Sequence, residues 1–267
     1  MAVSARLPVV FFGHGSPANA ISDNEATRTW ARLARAIGRP KAVLSVSAHW
    51  CTNGTAVTAM EAPRTIHDFG RSLPAPLFDV QYPAPGSPAL AERVQTLLKP
   101  ANVRLDNSWG FDHGTWSVLV KAFPQADVPV VQLSMDMNAP HAMHFELGKR
   151  LRPLRDEGVL ILGTGNIVHN LERMEWNPAA APYDWAVRFH QYIKNAIVEN
   201  DSARVVGYES FGGDAALAVP DPYHFWPLLY VLGARMEGDV LSIEPDYIEY
   251  KSLSMSSVYL GERLAAA

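Results

Sequence analysis

The sequence predicts a single α/β domain over residues 1–267, with a largely parallel central sheet, helices on both faces and an additional β-rich segment at the C-terminus. Three observations support this fold class. Short, almost entirely apolar runs alternate along the chain with longer segments of helical periodicity. Such near-continuous apolar strands are typical of a sheet that is covered on both faces. No internal repeat, low-complexity segment or linker divides the chain, and its length suits one large domain.

Two strands and a helix open the chain. Residues 7–12, LPVVFF, form an uninterrupted apolar run and predict the first strand. A helical pattern follows, with Ser22 or Asp23 as the predicted N-cap and Gly38 as the predicted stop. Residues 41–50, KAVLSVSAHW, predict the second strand.

A long stretch at residues 61–88 interrupts this alternation. It is rich in proline and glycine, so we predict an irregular loop, and long structured loops of this kind are often functional. The alternation then resumes. The predicted helices span residues 88–100, 113–123, 141–158, 184–200 and 224–235. The predicted strands span residues 128–136 and 159–166, and residues 239–260 predict two or three more.

The composition argues against several functional classes. Hydrophobic residues make up 48% of the chain and charged residues 19%, which is typical of a globular protein. The net charge is −4 and no basic stripe occurs, so we expect no nucleic-acid partner. No run approaches the ~18 apolar residues of a membrane span, and the N-terminus lacks the apolar core of a signal peptide. We therefore predict a soluble, cytoplasmic protein that does not bind membranes. Cys51 is the single cysteine and is predicted to be a core thiol.

Histidines follow three of the predicted strands. His14 comes after the first strand, His49 ends the second and His169 lies just past a later one. The carboxyl ends of parallel strands share one sheet edge, where α/β proteins bind ligands, so we expect these side chains to meet. His113 and His224 each precede a predicted helix and could face the same crevice. A single strand-end histidine is more often structural, but several together favour a metal site of neutral imidazoles, which suit zinc, iron or copper.

Other histidines and the glycine motifs favour different roles. His141 and His144 have ligand-like spacing, but their position just after Pro140 favours a role at a helix start. His190 lies in a predicted surface helix and is expected to be solvated. Neither HExxH nor CxxC occurs, so the metal site depends on the predicted fold rather than on a local signature. GHGSP is too short for a phosphate loop, GTGN contains only part of GxGxxG, and GxSxG is absent.

Seven short motifs carry a family resemblance. In chain order they are GHGSP, SAHW, TIHDF, YPAPGSP, WGFDHGTW, GTGNIVHN and PYHFWPLLYVLGA. Together they resemble the 4,5-DOPA extradiol dioxygenase family, which belongs to the class III extradiol ring-cleavage group. This group is distantly similar to the catalytic subunit of protocatechuate 4,5-dioxygenase. The resemblance extends from about Pro8 to Leu260, which is nearly the whole chain.

The resemblance implies cleavage of a catechol ring by O₂, next to one hydroxyl, at a mononuclear metal centre. His14, His49 and His224 match the metal ligands of the family. His169 matches a histidine placed against the metal, as a fourth ligand or as acid or base, and we assign it the role of base. His113 matches an active-site histidine expected to contact substrate or oxygen, and we assign it the acid or oxygen-stabilising role.

The ligand set also bears on which metal is bound. The protocatechuate enzymes have a carboxylate where this chain has His224, and two histidines with one carboxylate are usual for non-haem Fe(II) oxygenases. A site made only of imidazoles holds zinc well, but zinc has no redox chemistry. We therefore predict one divalent metal per chain, with Zn²⁺ in the protein as purified and Fe²⁺ required for ring cleavage.

The irregular loop is predicted to line the entrance for substrate. It looks longer than in the family, with Arg71 and Ser72 added. His67 and Tyr82 are the candidate substrate contacts, although either could simply pack the loop. The predicted partners are O₂ and a small catechol, DOPA-like or caffeate-like, and the protein is expected to be a monomer or a small homo-oligomer.

Two other functions stay open at this point. Class II metal chelatases also carry a histidine in a GHGS-type loop after the first strand, although they use fewer metal-binding histidines and lack FDHG and GNxxHN. An all-histidine site is also compatible with a zinc-binding α/β protein that has no catalytic activity.

Overall fold

The computed structural model describes residues 6–177 and 180–264. The strands are β1 (Val9–Gly13), β2 (Ala42–Thr52), β3 (Ala56–Thr58), β4 (Arg104–Asp106), β5 (Val130–Asp136), β6 (Val159–Gly165), β7 (Val240–Ile243), β8 (Ile248–Glu249), β9 (Leu253–Ser254) and β10 (Val258–Gly261). The α-helices are α1 (Glu25–Ile37), α2 (Pro88–Leu97), α3 (His113–Ala122), α4 (His141–Arg150), α5 (Pro153–Asp156), α6 (Asp184–Val198), α7 (Ser202–Val206), α8 (Gly213–Ala218) and α9 (Trp226–Gly233). Within the described ranges, no helix is long and apolar enough to cross a membrane.

Eight of these strands form one sheet, in the order β4-β3-β5-β2-β6-β1-β10-β7. The four middle strands run parallel, whereas β3 and β10 are antiparallel to their inner neighbours. The predicted, largely parallel sheet is confirmed. Gly13 pairs with Gly165 and Ser47 pairs with Thr164, so β1, β2 and β6 reach the same edge together. Residues that follow these strands are therefore brought to that edge.

Apolar side chains cover both faces of the sheet, as the apolar strands predicted. On one face, Val10 and Phe12 belong to a buried cluster with Trp30 of α1 and Trp116 of α3. On the other face, Phe11 belongs to a larger cluster that includes residues of α2, α4, α6 and α9. Full burial of one large apolar side chain contributes about 1.5–3 kcal/mol, so the two layers together hold the parallel strands in place.

Helix α1 begins one residue later than predicted. The N-cap is Asn24, whose side chain accepts a hydrogen bond from the Thr27 N–H while the Thr27 hydroxyl accepts one from the Asn24 N–H. This capping box is favoured over Ser22 and Asp23 because it satisfies two backbone donors at once. Gly38 ends the helix as predicted, with a φ of +78°.

The other differences have local causes. The helix predicted at 141–158 is divided into α4 and α5 because Pro153 has no N–H to continue a helix and instead occupies a new first turn. The C-terminal segment forms four strands rather than two or three, because β7 and β10 extend the sheet while β8 and β9 form a separate hairpin. The short elements β3, β4, α7 and α8 were not predicted, since each has too few residues for a periodic pattern.

Candidate active site

Three histidines converge at the edge where β1, β2 and β6 end. One ring nitrogen from each of His14, His49 and His224 lies within 4.8 Å of the others. The Nε2 atoms of His14 and His49 are 3.1 Å apart. The ring centroid of His224 is 5.4 Å from that of His14 and 4.9 Å from that of His49. The predicted meeting of His14, His49 and His224 is thus present in the structure.

Backbone contacts with β6 hold two of these histidines. The His14 N–H donates to the Gly165 carbonyl at 3.1 Å. His224 ends a short 3-10 turn, and its carbonyl accepts a hydrogen bond from the Asn166 N–H at 2.9 Å. A Cβ at Gly165 would lie 2.1 Å from the His224 carbonyl oxygen, so this close approach requires glycine. Of the two glycines of GTGN, Gly165 therefore packs against His224 and Gly163 against Pro227.

His113 and Asp68 form a second group beside the first. His113 is the first residue of α3, and its backbone N–H donates to Asp68 Oδ1 at 2.8 Å. Asp68 Oδ2 is 3.1 Å from His113 Nδ1 and 3.9 Å from His49 Nδ1. Burial opposes ionisation of Asp68, but its interactions with His113 and His49 prevail and hold its pKa below the usual value. The ring centroids of His49 and His113 are only 3.8 Å apart, so the two groups are continuous.

Sequence reasoning missed Asp68. It lies within the TIHDF motif, directly after His67, in a loop with no periodic pattern. The one feature of the sequence that could have indicated its role is that TIHDF contains a carboxylate beside a histidine. Nothing local indicated that this carboxylate would contact a histidine 45 residues further along the chain.

A fully buried carboxylate anchors the start of α3. Asp112 accepts hydrogen bonds from the Thr115 N–H at 3.1 Å, from the Ser47 hydroxyl at 2.7 Å and from the Gln132 side-chain amide. Burial, reinforced by the neighbouring Asp68 charge, raises the pKa of Asp112 to about 6. These bonds attach the first turn of α3 to β2 and β5, and so fix the position of the residue that follows, His113.

His169 lies against His224 rather than within either group of closely spaced ligand atoms. The two rings are parallel, with centroids 3.5 Å apart and planes inclined by 5°. The His169 backbone N–H donates to the Ala218 carbonyl, and the residue forms an isolated antiparallel bridge with Leu253. Burial lowers the pKa of His169 to about 4. The structure therefore brings His169 to the site, and its role as fourth ligand or base stays a prediction.

The electrostatics of the site suit a bound cation. Burial, followed by repulsion between the neighbouring imidazoles, lowers the pKa of His14 and His224 well below 6.5. The pKa of His49 is lowered in the same way, in spite of Asp68. These rings are consequently neutral near pH 7 and their lone pairs are available for a metal. His14 Nδ1 is also buried and has no hydrogen-bond partner among the residues that the structure describes. The donor set thus fits a divalent metal ion.

The two predicted substrate contacts differ in position. His67 is half-buried, with its Nε2 atom 3.0 Å from the Val80 carbonyl and its ring centroid 5.7 Å from that of Phe69. Phe69 in turn lies 5.5 Å from His113, so His67 is one ring removed from the histidine group. Tyr82 is buried, and its hydroxyl donates to the Phe123 carbonyl, at the opposite end of α3 from His113. The structure does not bring Tyr82 to the site.

The histidines predicted to lie outside the metal site have structural roles. His141 is the first residue of α4 and accepts a hydrogen bond from Trp226 Nε1, while His144 stacks on Trp226 at 4.3 Å. The prediction that His190 is solvated is wrong. His190 is buried and its Nε2 is 2.7 Å from Asp246 Oδ1, because the C-terminal segment covers this face of α6. Cys51 is half-buried, and burial, with Asp112, raises the pKa of its thiol to about 12.

Comparison with known families agrees with this geometry. Residues 8–261 match the family described as the catalytic LigB subunit of aromatic ring-opening dioxygenase. The chain belongs to this family. Membership confirms the predicted resemblance and the predicted enzyme class, an oxidoreductase that opens aromatic rings. LigB dioxygenases depend on a metal, and the two groups His14–His49–His224 and His49–Asp68–His113 are able to hold one. The chelatase alternative gains no support from this match.

Individual relatives are similar over most of their length. A protein of Escherichia coli K12 named 4,5-DOPA dioxygenase extradiol is 49% identical over 262 residues, covering 97% of this chain and 96% of the relative. A protein of the same name from Beta vulgaris is 38% identical over 234 residues, covering 85% and 86%. The crystal structure of an uncharacterized protein from Escherichia coli K12 superposes with a TM-score of 0.84 at 45% identity, covering 96% of this chain and all of that one.

Proposed function

We propose that this protein opens the ring of a catechol next to one hydroxyl, with both atoms of O₂ entering the product. His14, His49 and His224 would hold one divalent metal, which we propose is iron in the active enzyme. The relatives named 4,5-DOPA dioxygenase extradiol support a catechol of this kind as substrate.

One observation carries the proposal: three neutral imidazoles converge, and two further histidines with different surroundings flank them. His169 stacks on His224, whereas His113 contacts Asp68. Ring cleavage needs one group that takes a proton and another that gives one. Two histidines in unlike environments meet this requirement.

The two candidate metals differ in the chemistry that they would supply. When bound, divalent iron would supply chelation of both catechol oxygens and the electron transfer that O₂ requires, whereas zinc would supply chelation alone. A set of three imidazoles also binds zinc well, so protein produced without added iron is expected to contain zinc.

We assign the proton steps to His169 and His113. Burial lowers the pKa of His169 to about 4, so its ring is neutral near pH 7, and it would take the proton of a catechol hydroxyl that the bound metal makes more acidic. Asp68 lies 3.1 Å from His113 Nδ1 and accepts a hydrogen bond from the His113 backbone N–H, so it holds this residue in a fixed position. We assign His113 the return of a proton as the O–O bond breaks.

The overall reaction balances without a further reductant. One ring C–C bond next to a hydroxyl breaks together with the O–O bond. One oxygen atom becomes the oxygen of a new aldehyde and the other enters a new carboxylate. The catechol is the reductant and O₂ is the oxidant.

Reconstitution with defined metals tests the proposal. Metal-free protein, prepared by chelation, is loaded anaerobically with Fe(II) or with Zn(II) and then given L-DOPA or caffeate in an oxygen electrode. We expect the iron form to consume one O₂ per catechol and to form a yellow semialdehyde, and the zinc form to consume none. Equal rates for both metals would contradict the proposed role of iron. Absence of oxygen uptake by the iron form with every catechol would favour a metal-binding protein without this activity.

A further inference from the structure

A carboxyl group from the C-terminal hairpin lies at the edge of the histidine site. His169 forms an antiparallel bridge with Leu253, and Leu253 pairs in turn with Glu249 across the β8–β9 hairpin. Residues directly opposite each other in antiparallel strands place their side chains on the same face. Glu249 therefore shares a face with His169, whose ring lies on His224.

A second observation places the same carboxyl beside Gly15, the residue that follows His14. Gly15 has a φ of +57°, and a Cβ built at this position would lie 3.2 Å from Glu249 Oε1. Because Gly15 directly follows His14, the Glu249 carboxyl lies beside the turn that carries this histidine. The two observations come from separate segments, the one that follows β6 and the one that follows β1, and both locate Glu249 at the margin of the site.

Glu249 has no cationic partner within the described part of the chain. No hydrogen bond or ion pair of its side chain is present among residues 6–177 and 180–264, although the side chain is half-buried. The nearby Lys251 is engaged elsewhere, with its Nζ 2.7 Å from Glu175. Burial raises the pKa of Glu249 to about 7, with no counter-charge to offset it. A desolvated carboxyl without a partner is unfavourable, and such groups are concentrated where a ligand supplies the partner.

The backbone around this carboxyl is held in an uncommon conformation. Tyr250 and Lys251, which form the hairpin turn after Glu249, have φ angles of +50° and +66°. Residues that carry a Cβ rarely adopt this left-handed region. The turn is thus fixed by its surroundings, and strained segments of this kind cluster at ligand sites.

We propose that Glu249 determines substrate specificity by binding a protonated amino group on the side chain of the catechol. This inference rests on the proposed function and selects between its two substrate classes. A catechol with an ammonium group, such as DOPA, would provide the cationic partner that Glu249 does not have among the described residues. A catechol with only a carboxylate, such as caffeate, would leave Glu249 unpaired and place a like charge near it.

Paired substrates that differ only in the amino group test this role. The full-length protein, loaded with Fe(II), is assayed with L-DOPA and with 3-(3,4-dihydroxyphenyl)propionate. We expect wild type to prefer L-DOPA, and Glu249→Gln to lower kcat/KM for L-DOPA by about 10-fold or more, mainly through KM, because a charge-assisted hydrogen bond is lost. The propionate should be cleaved as well as before or better. Glu249→Asp, which keeps the charge, should retain part of the preference.

Controls separate specificity from folding and from the chemistry itself. The ratio of the two kcat/KM values within one sample is independent of the fraction of active enzyme. Glu92→Gln, at an exposed position on α2, is the matched control and should keep the wild-type ratio. Anaerobic binding of both catechols, followed by tryptophan fluorescence, provides a measurement that does not require turnover.

The outcomes distinguish this inference from the proposed function. If wild type shows no preference for L-DOPA, or if Glu249→Gln keeps the wild-type ratio, the role of Glu249 is overturned. If wild type opens neither ring, the proposed function fails. The ratio of the two dissociation constants measured anaerobically then tests the role of Glu249 by itself.

Discussion

At the scale of single residues, the histidines of the site differ in their immediate neighbours. His14 and His224 lie among other imidazoles, which, together with burial, keeps them neutral. His113 has Asp68 at 3.1 Å and His169 has the ring of His224 at 3.5 Å. Chemically identical side chains thereby acquire different functions, because ligation needs a neutral ring whereas proton donation is helped by a nearby carboxylate.

Asp68 gives a direct test at this scale. Asp68→Asn removes the charge that supports His113 while leaving the three predicted ligands in place. We expect kcat to fall by about 100-fold, the lower end of the usual range for acid–base catalysis, with metal content unchanged. Asp79→Asn, an exposed position in the same loop, is the control. Turnover of Asp68→Asn at the wild-type rate would show that the carboxylate does not assist His113.

At the scale of secondary-structure elements, close packing between β6 and the segment before α9 positions His224. Cβ atoms at Gly163 and Gly165 would lie 2.7 Å from the Pro227 carbonyl and 2.1 Å from the His224 carbonyl. On the other side of α9, His144 of α4 stacks on Trp226 and lies 3.1 Å from the Tyr230 hydroxyl. The ligand at the start of α9 is therefore held between two packed elements.

Substitution of Gly165 should disturb the metal site through this packing. In Gly165→Ala the new methyl group meets the His224 carbonyl, so the turn must move, at a cost of about 1–3 kcal/mol. We expect metal affinity, measured by chelator competition, to fall by about 10-fold or more. Gly213→Ala is the control, because its Cβ meets nothing within 4 Å. Unchanged affinity in Gly165→Ala would mean that the turn adapts without moving His224.

His144 should make the contact between α4 and α9 sensitive to acid. Burial lowers its pKa from 6.5 to about 4. Below pH 6.5 the unfolded chain takes up a proton that the folded chain refuses, so the free energy of unfolding decreases as the pH falls. The loss attributable to this group reaches about 3 kcal/mol near pH 4. Urea unfolding between pH 7 and pH 4 should show a shallower decline for His144→Gln than for wild type. Equal slopes would contradict the assignment.

At the scale of the whole molecule, the candidate metal connects segments that are distant in sequence. His14 follows β1, His49 lies in β2 and His224 precedes α9. A metal bound by all three would join both ends of the chain to the middle of the sheet. Ligands that bind only the folded state stabilise it, and this assembly of ligands does not exist in the unfolded chain.

Metal removal should therefore lower thermal stability. At a free metal concentration 100 times Kd, binding adds about 2.7 kcal/mol to the free energy of unfolding. We expect differential scanning calorimetry to give a lower Tm after chelation, and the Tm to recover when Zn(II) or Fe(II) is restored. His224→Ala should lose most of this response. A Tm that is independent of metal in wild type would contradict a site assembled from these three histidines.

Local sequence patterns are sufficient to predict the main strands and helices. The apolar runs of β1, β2 and β6 predicted a buried parallel sheet, and the histidines that follow them could be placed at one edge because parallel strands end together. Of the candidate residues, His14, His49, His113, His169 and His224 are brought together as this reasoning expected. Periodicity and strand polarity are properties of short segments, so they can be recognised without knowledge of the fold.

Residues in segments without a periodic pattern reach the site, or miss it, through long-range packing. Asp68 contacts His113 from an irregular loop, Glu249 reaches Gly15 from a two-residue strand, and Tyr82 points its hydroxyl to Phe123 instead of to the site. His190, expected in water, is buried against Asp246. These outcomes depend on where loops and the C-terminal segment pack. Such packing is set by contacts between residues far apart in the chain, for which no local period exists.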